Sequence, residues 1–100
     1  DALLHGCEAE TFCMVAAEAR ASGLPLIVPD QGGAADHARA SGGWTYTSAS
    51  AASAAEAIVD FVDHRHELHR TRTTARTMDD HFAELFASYA QLIPASRRAA

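Results

Sequence analysis

Glu10-Thr11-Phe12-Cys13-Met14-Val15-Ala16-Ala17-Glu18-Ala19-Arg20-Ala21-Ser22-Gly23-Leu24-Pro25 is the stretch whose reading decides the fold. Two carboxylates, Glu10 and Glu18, stand eight positions apart around an apolar run. Thr11 is placed to cap a helix, because its hydroxyl can accept a bond from an orphan backbone N–H. Gly23 stands where a left-handed residue ends a helix, and Pro25 lies just past it. Val15, Ala19 and Phe12 would then share one helix face at three- and four-residue spacing. Glu10 falls in the loop ahead of this helix and Glu18 about two turns in, roughly 10 Å along the axis. A carboxylate, an anion-binding helix start and a second carboxylate in a row would match a sugar, a diphosphate and a ribose in series.

Working outward, Leu24 to Val28 is a continuous apolar strand bounded by Gly23 and Pro29. Such a strand between helices implies a parallel sheet covered on both faces. Ala2 to His5 reads as a short buried strand and Trp44 to Thr47 has strand propensity. Asp30-Gln31-Gly32-Gly33 is a loop whose glycines allow positive φ or close backbone approach. A short helix is expected over Ala34 to Ala40, with Ser41-Gly42-Gly43 as the next turn. Ser53-Ala54-Ala55-Glu56 fits a capping box. It would start a helix with Ala57, Ile58, Phe61, Val62 and Leu68 on its apolar side. Arg70 to Arg76 is polar and reads as continued helix or a frayed connection. From Asp79, the spacing of Phe82, Leu85, Phe86, Tyr89, Leu92 and Ile93 predicts a last amphipathic helix, stopped by Pro94.

The order β-α-β-α-β-α-α is half of a doubly wound α/β domain. Right-handed crossovers would bring Glu10, Asp30, Gly32 and Gly33 to the carboxyl edge of the strands, where such sheets bind ligands. The division expected is a core over 1–78, a terminal helix over 79–93 and a tail over 94–100, together part of one domain. The chain opens at Asp1, directly into a strand-like run, and reads as a piece of a longer protein.

Composition excludes several classes. Eight arginines face thirteen acids, no lysine is present, and the net charge is −5. An acidic chain without a basic run is a poor partner for nucleic acid or an anionic membrane surface. The longest apolar run, Leu24 to Pro29, cannot span a bilayer, and no signal peptide is visible. Nearly half the residues are apolar, 48%, which is a globular composition. Cys7 and Cys13 read as two free thiols in a reducing compartment, a disulfide being the alternative.

Taken together, Glu10 to Ala19, Ala21-Ser22-Gly23-Leu24-Pro25-Leu26-Ile27-Val28 and Gly32-Gly33 resemble the C-terminal domain of retaining glycosyltransferases of the GT-B fold, closest to family 4, the group-1 glycosyltransferases. That family carries E-x-F-G-x-x-x-x-E-A followed by A-S-G-x-P. The resemblance covers roughly residues 1 to 93. It implies that Glu10, with Thr11, contacts the donor hexose. It implies that the amides near Phe12, Cys13, Met14 and Val15 hold the donor diphosphate, and that Glu18 accepts from the ribose hydroxyls. Helix-start N–H groups favour phosphate and the charge that grows on a leaving diphosphate. A carboxylate is an acceptor that can take two vicinal hydroxyls. The implied donor is a UDP- or GDP-sugar, the acceptor an unidentified hydroxyl, and no metal or other cofactor is needed. A cytoplasmic protein, or one peripheral at the membrane, is implied.

Two departures stand out. The family has glycine where Cys13 stands, and a Cβ there narrows the approach to phosphate and disfavours positive φ. The family's N-terminal domain and the first half of its C-terminal domain, with its catalytic histidine and its Arg/Lys pair, have no counterpart here. The chain alone is therefore expected to be inactive and to hold no catalytic residue. A nucleotide-sugar epimerase of the same fold and a degenerate, non-catalytic binding domain are the alternatives.

Other residues carry plainer readings. Gly32 and Gly33 line the pocket or simply turn the chain. Asp36 is an acid where the family often has one, or a helix-capping residue. His5, at a strand end, is a pocket-lining residue or a structural histidine. Cys7, Cys13 and His5 lack a fourth ligand and a recognised zinc spacing, so no metal site is expected. His64, His66 and His69 with Asp60 and Asp63 read as a solvated helix face. The Phe82–Ile93 stripe reads as core or interdomain packing.

Overall fold

The computed structural model describes residues 1–68 and 76–98. Three parallel strands, β1 (Leu3–Leu4), β2 (Leu26–Pro29) and β3 (Trp44–Tyr46), lie in the order β1-β2-β3. Leu3 pairs with Leu26, and Ile27 with Trp44. Helices α1 (Met14–Ala21) and α2 (Gly33–Ser41) connect them in turn. Helix α3 (Ala51–His64) follows β3 and ends in a 3₁₀ turn, Arg65–Glu67. Helix α4 (Met78–Leu92) and a short α5 (Ala95–Arg98) complete the order. The α/β fold with a parallel sheet flanked by helices is the one the strand pattern predicts.

β2 is central and all four of its residues are buried. Alternation splits it between two cores, because successive side chains point to opposite faces. Leu26 and Val28 meet Cys13, Ala16 and Ala19 of the α1 segment and Ala34 and Ala38 of α2. Ile27 faces the other way, onto Tyr46, Ala57 and Phe61. The first core is built mainly from alanine, so it fills by close approach of backbones. The second uses aromatic area, with the Trp44 and Phe61 rings edge to face at 5.3 Å. The Trp44 indole also donates to the Asp60 carboxylate at 2.7 Å, tying β3 to α3.

Helix boundaries depart from the sequence expectation in instructive ways. α1 begins at Met14, with Cys13 as its N-cap residue and no side-chain cap. Thr11 is in a bend instead, because its neighbours Glu10 and Phe12 give their carbonyls to Gly33 and His37 of α2 and cannot also coil. The buried face of α1 is accordingly Cys13, Ala16 and Ala19, while Phe12 and Val15 are exposed. The far end is as expected. Gly23 has φ 76°, its N–H bonds to the Arg20 carbonyl and that of Leu24 to the Ala19 carbonyl. These are the two bonds of a Schellman motif. α3 is capped by Ser50, whose hydroxyl accepts from the Ser53 N–H at 3.1 Å, so the capping box at Ser53 is not used. Ser53 instead accepts from the Thr47 N–H at 2.8 Å.

α4 carries a true capping box between Thr77 and Asp80, one turn around the expected start at Asp79. Its stripe is not core: Phe82, Phe86, Tyr89 and Leu92 are exposed, Leu92 at 81%. Phe82 and Phe86 stack on each other at 6.0 Å. Val62, near the end of α3, and Leu68, past it, are likewise exposed. Residues 95–98 form one helical turn where a tail was expected. The stretch 70–75 and His69 lie outside the described residues. Among the described residues no helix is long and apolar enough to cross a membrane.

The His64 ring turns back on its own helix. Its Nδ1 lies 2.8 Å from the Asp60 carbonyl oxygen and 3.2 Å from the Asp60 carboxylate. The carbonyl bond first, then the carboxylate charge, raise its pKa above the usual 6.5. A raised folded-state pKa means that this contact stabilises fully below the unfolded value and is lost as pH rises through the folded one. The His64 ring protons, followed by NMR, should therefore titrate with a midpoint above 6.5. Asp60→Asn should lower that midpoint while leaving the carbonyl in place, and an unchanged midpoint would remove the carboxylate as a cause.

Candidate functional site

The site is assembled where the loop after β1 meets the start of α2. Gly32 takes φ 80°, and a Cβ there would meet the Glu8 carbonyl oxygen at 2.5 Å. At Gly33 a Cβ would collide with the Thr11 carbonyl oxygen and meet the Phe12 carbonyl carbon at 2.7 Å. Both glycines are required by close approach of backbone. Gly33 also donates its N–H to the Glu10 carbonyl at 2.8 Å. Gly33 is buried beneath the loop, whereas Gly32 stays exposed at the edge.

A buried histidine finishes the attachment. His37 donates from Nε2 to the Phe12 carbonyl oxygen at 2.8 Å, and Arg20 approaches its Nδ1 at 3.0 Å. A carbonyl only accepts and a guanidinium only donates, so the Nε2–H tautomer satisfies both contacts. The Phe12 ring stands edge-on to the His37 ring at 4.9 Å. Sequence reasoning missed His37 and Arg20, because their partners are far off in the chain. The only available signal was a histidine and an arginine in otherwise alanine-rich helices.

The held loop delivers the chain to Cys13 in a left-handed conformation, φ 63° and ψ 77°. A non-glycine residue held there costs on the order of 1–3 kcal/mol. The side chain is buried at 3% exposure in the α1–α2 core, which offsets part of that cost. The conformation that glycine favours is thus kept with a Cβ present. The Cys13 carbonyl accepts from Ala16 and Ala17. That leaves the N–H groups of Met14 and Val15 ahead of the intrahelical ladder. Phe12, Met14 and Val15 are exposed, so this helix start is open to solvent.

Glu10 lies in the loop before α1, with its carboxylate 3.7 Å from Nε2 of His5. Cys13 Sγ is also 3.7 Å from that nitrogen. His5 continues β1, its N–H bonded to the Ile27 carbonyl at 3.0 Å. The Tyr46 hydroxyl donates to the His5 carbonyl at 2.7 Å, and burial raises its phenol pKa above the ordinary value. Glu18 is exposed in the second turn of α1. Because the helix starts at Met14, Glu18 sits about one turn in, roughly 6 Å along the axis, not two turns. Asp30, after β2, accepts from the Ser48 N–H and holds Arg39 through its carbonyl. Asp36 is exposed in the first turn of α2 and pairs with Arg39 at 3.4 Å. Cys7 and Cys13 are both free thiols, Cys7 exposed.

Residues 1–78 match the family described as Glycosyl transferases group 1. Over 36 residues the chain is 58% identical to a GDP-mannose-dependent alpha-mannosyltransferase of Mycobacterium tuberculosis (strain CDC 1551 / Oshkosh). Over 36 residues it is 53% identical to one from Mycolicibacterium smegmatis (strain ATCC 700084 / mc(2)155). Each match covers 36% of this chain and 10% of the relative, so it spans about a tenth of those proteins. No solved structure matches the chain significantly.

Gly33→Ala should lower stability by about 1–3 kcal/mol, because the loop backbone must move to admit the methyl. His37→Ala should cost about 1–3 kcal/mol by leaving the Phe12 carbonyl unsatisfied, and His37→Gln should recover part of it. Thermal unfolding of the three variants tests this; wild-type stability in both alanine variants would show that the loop does not depend on this attachment.

Proposed function

This chain belongs to the glycosyl transferases group 1 family, and from that premise we propose that it supplies part of the donor site of a hexosyltransferase. The reaction is transfer of a hexose from a UDP- or GDP-sugar to a hydroxyl acceptor with retention. Glu10 and Thr11 receive the hexose hydroxyls. The amides of Phe12, Cys13, Met14 and Val15 receive the diphosphate, and Glu18 the ribose. His5 and Gly32 line the pocket, with Gly33 supporting it from beneath.

One observation carries this reading: the start of α1 is open, with a carboxylate before it and another about one turn along. A diphosphate is favoured there by unpartnered N–H groups and the positive end of the helix dipole. The same groups stabilise the charge that develops on the leaving nucleotide. No metal is required by this scheme. GDP-mannose is the first donor to test, since both relatives are described as GDP-mannose-dependent. A further domain would bring the acceptor and a catalytic histidine, and the exposed stripe of α4 suits cover by such a domain. The working compartment is then the cytoplasm, where nucleotide sugars are made available, with peripheral contact to a membrane acceptor as an option. The degenerate-domain reading is weakened by Cys13, whose backbone keeps the conformation that glycine favours.

The longest natural form of the protein containing this chain should be titrated with GDP-mannose and UDP-glucose, following amide shifts. The amides of Phe12 to Val15 should move with one nucleotide sugar. Glu18→Ala should weaken that binding by about 1–3 kcal/mol, as for a lost charge-assisted bond. No shift with either donor in well-folded protein would discard the donor site and favour a non-catalytic domain.

A further inference from the structure

We propose that His5, Glu10 and Cys13 form a binding site for a thiophilic divalent cation of the zinc type, with three protein ligands and one open position. The three donor atoms come from three different pieces of structure: the end of β1, the loop after it and the residue before α1. All three lie within 4.8 Å of one another, and among the described residues no other group of His, Cys, Asp or Glu side chains converges in this way. His5 Nε2 is 3.7 Å from the Cys13 sulfur and 3.7 Å from the Glu10 carboxylate.

These separations are close to what a tetrahedral ion needs. Bonds of about 2.0–2.1 Å to nitrogen and oxygen and about 2.3 Å to sulfur set N···S near 3.6 Å and N···O near 3.4 Å. The Glu10 oxygen and the Cys13 sulfur are within 4.8 Å of each other, against about 3.6 Å in a tetrahedral shell, so the Glu10 side chain must swing by about an ångström to complete it. The set is chemically matched as well, since thiolate, imidazole and carboxylate are the three protein ligands that zinc accepts. Cys7 is on the same loop but lies outside the group and is exposed.

The ligands are also held in place. The His5 backbone is fixed by bonds to Ile27 and Tyr46, and Cys13 is buried in the core. Binding replaces the thiol proton, which leaves to solvent, by the metal–sulfur bond. The fourth position remains for water or an anionic oxygen, as in zinc sites of open type. Glu10 cannot serve the cation and a hexose at once, so the two compete; this last consequence alone rests on the donor-site reading.

Cobalt(II) titration of the whole protein, with no nucleotide sugar present, is the test. One equivalent should bring up sulfur-to-cobalt charge-transfer absorption, and zinc should abolish it by displacement. Cys13→Ser should remove the band, while Cys7→Ser should leave it unchanged. His5→Gln and Glu10→Gln should each weaken cobalt binding by at least about ten-fold, since even outer-shell changes at metal sites cost that much. Zinc should raise the unfolding temperature of wild type and Cys7→Ser but not of Cys13→Ser, because an ion that binds only the folded state stabilises it. Absence of the band in folded wild type, or its loss in Cys7→Ser, would overturn the site. Either result leaves donor binding untouched, because no donor enters the measurement.

Discussion

The loop that follows β1 lies directly on the backbone of α2, and nothing but two glycines makes that approach sterically allowed. A side chain at Gly32 or Gly33 would overlap carbonyl groups of Glu8, Thr11 or Phe12. Once the contact exists, polar bonds lock it: Gly33 to the Glu10 carbonyl, His37 to the Phe12 carbonyl. These bonds satisfy loop carbonyls that would otherwise be buried without partners. The contact then sets the direction in which α1 leaves the loop. A parallel sheet brings the ends of β1 and β2 to one edge, and the glycine contact joins the loops there into one surface.

Cys13 shows how that geometry is maintained against local preference. The chain must turn sharply between a loop fixed to α2 and a helix fixed to β2. A left-handed residue performs the turn, and glycine would do so without steric cost. The thiol stays because it is small and apolar enough to enter a core otherwise composed of alanine, leucine and valine. Local strain and burial thus oppose each other at one residue. Burial offsets part of the strain, which helps a non-glycine residue to be kept where the helix begins.

The sequence was most legible where a signal is local. A buried run bounded by Gly23 and Pro29 identified β2, and the left-handed end of α1 could be read from Gly23 alone. Legibility failed where tertiary bonds overruled a plausible cap. Thr11 has the right chemistry for an N-cap, but its neighbours' carbonyls are already committed to Gly33 and His37. Ser53 is also a good cap by type, but Ser50 occupies the role and Ser53 turns to Thr47. The shift of α1 moved its buried face from Phe12 and Val15 to Cys13 and Ala16, and moved Glu18 a turn closer to the helix start. The periodic stripe of α4 was legible as a helix, yet periodicity says only that a face is apolar. It does not say what covers it, and Phe82, Phe86 and Tyr89 are open to solvent.

The same logic explains why the chemically interesting side chains cluster although they are scattered in sequence and element type. His5 ends a strand, Glu10 sits in the loop, and Cys13 precedes a helix. In a parallel sheet these are successive positions on one edge, since each strand must hand over to a helix that runs back along a face. A residue on the strand end points across the edge, and the loop folds over it toward α2. Cys13, just ahead of the return helix, is buried with its sulfur 3.7 Å from the His5 ring. Convergence of an imidazole, a carboxylate and a thiol within 4.8 Å therefore needs no large core and no disulfide. It follows from a short strand, a loop clamped by two glycines and a helix start with one left-handed residue. The alanine-lined core beneath keeps these pieces close enough for the side chains to meet.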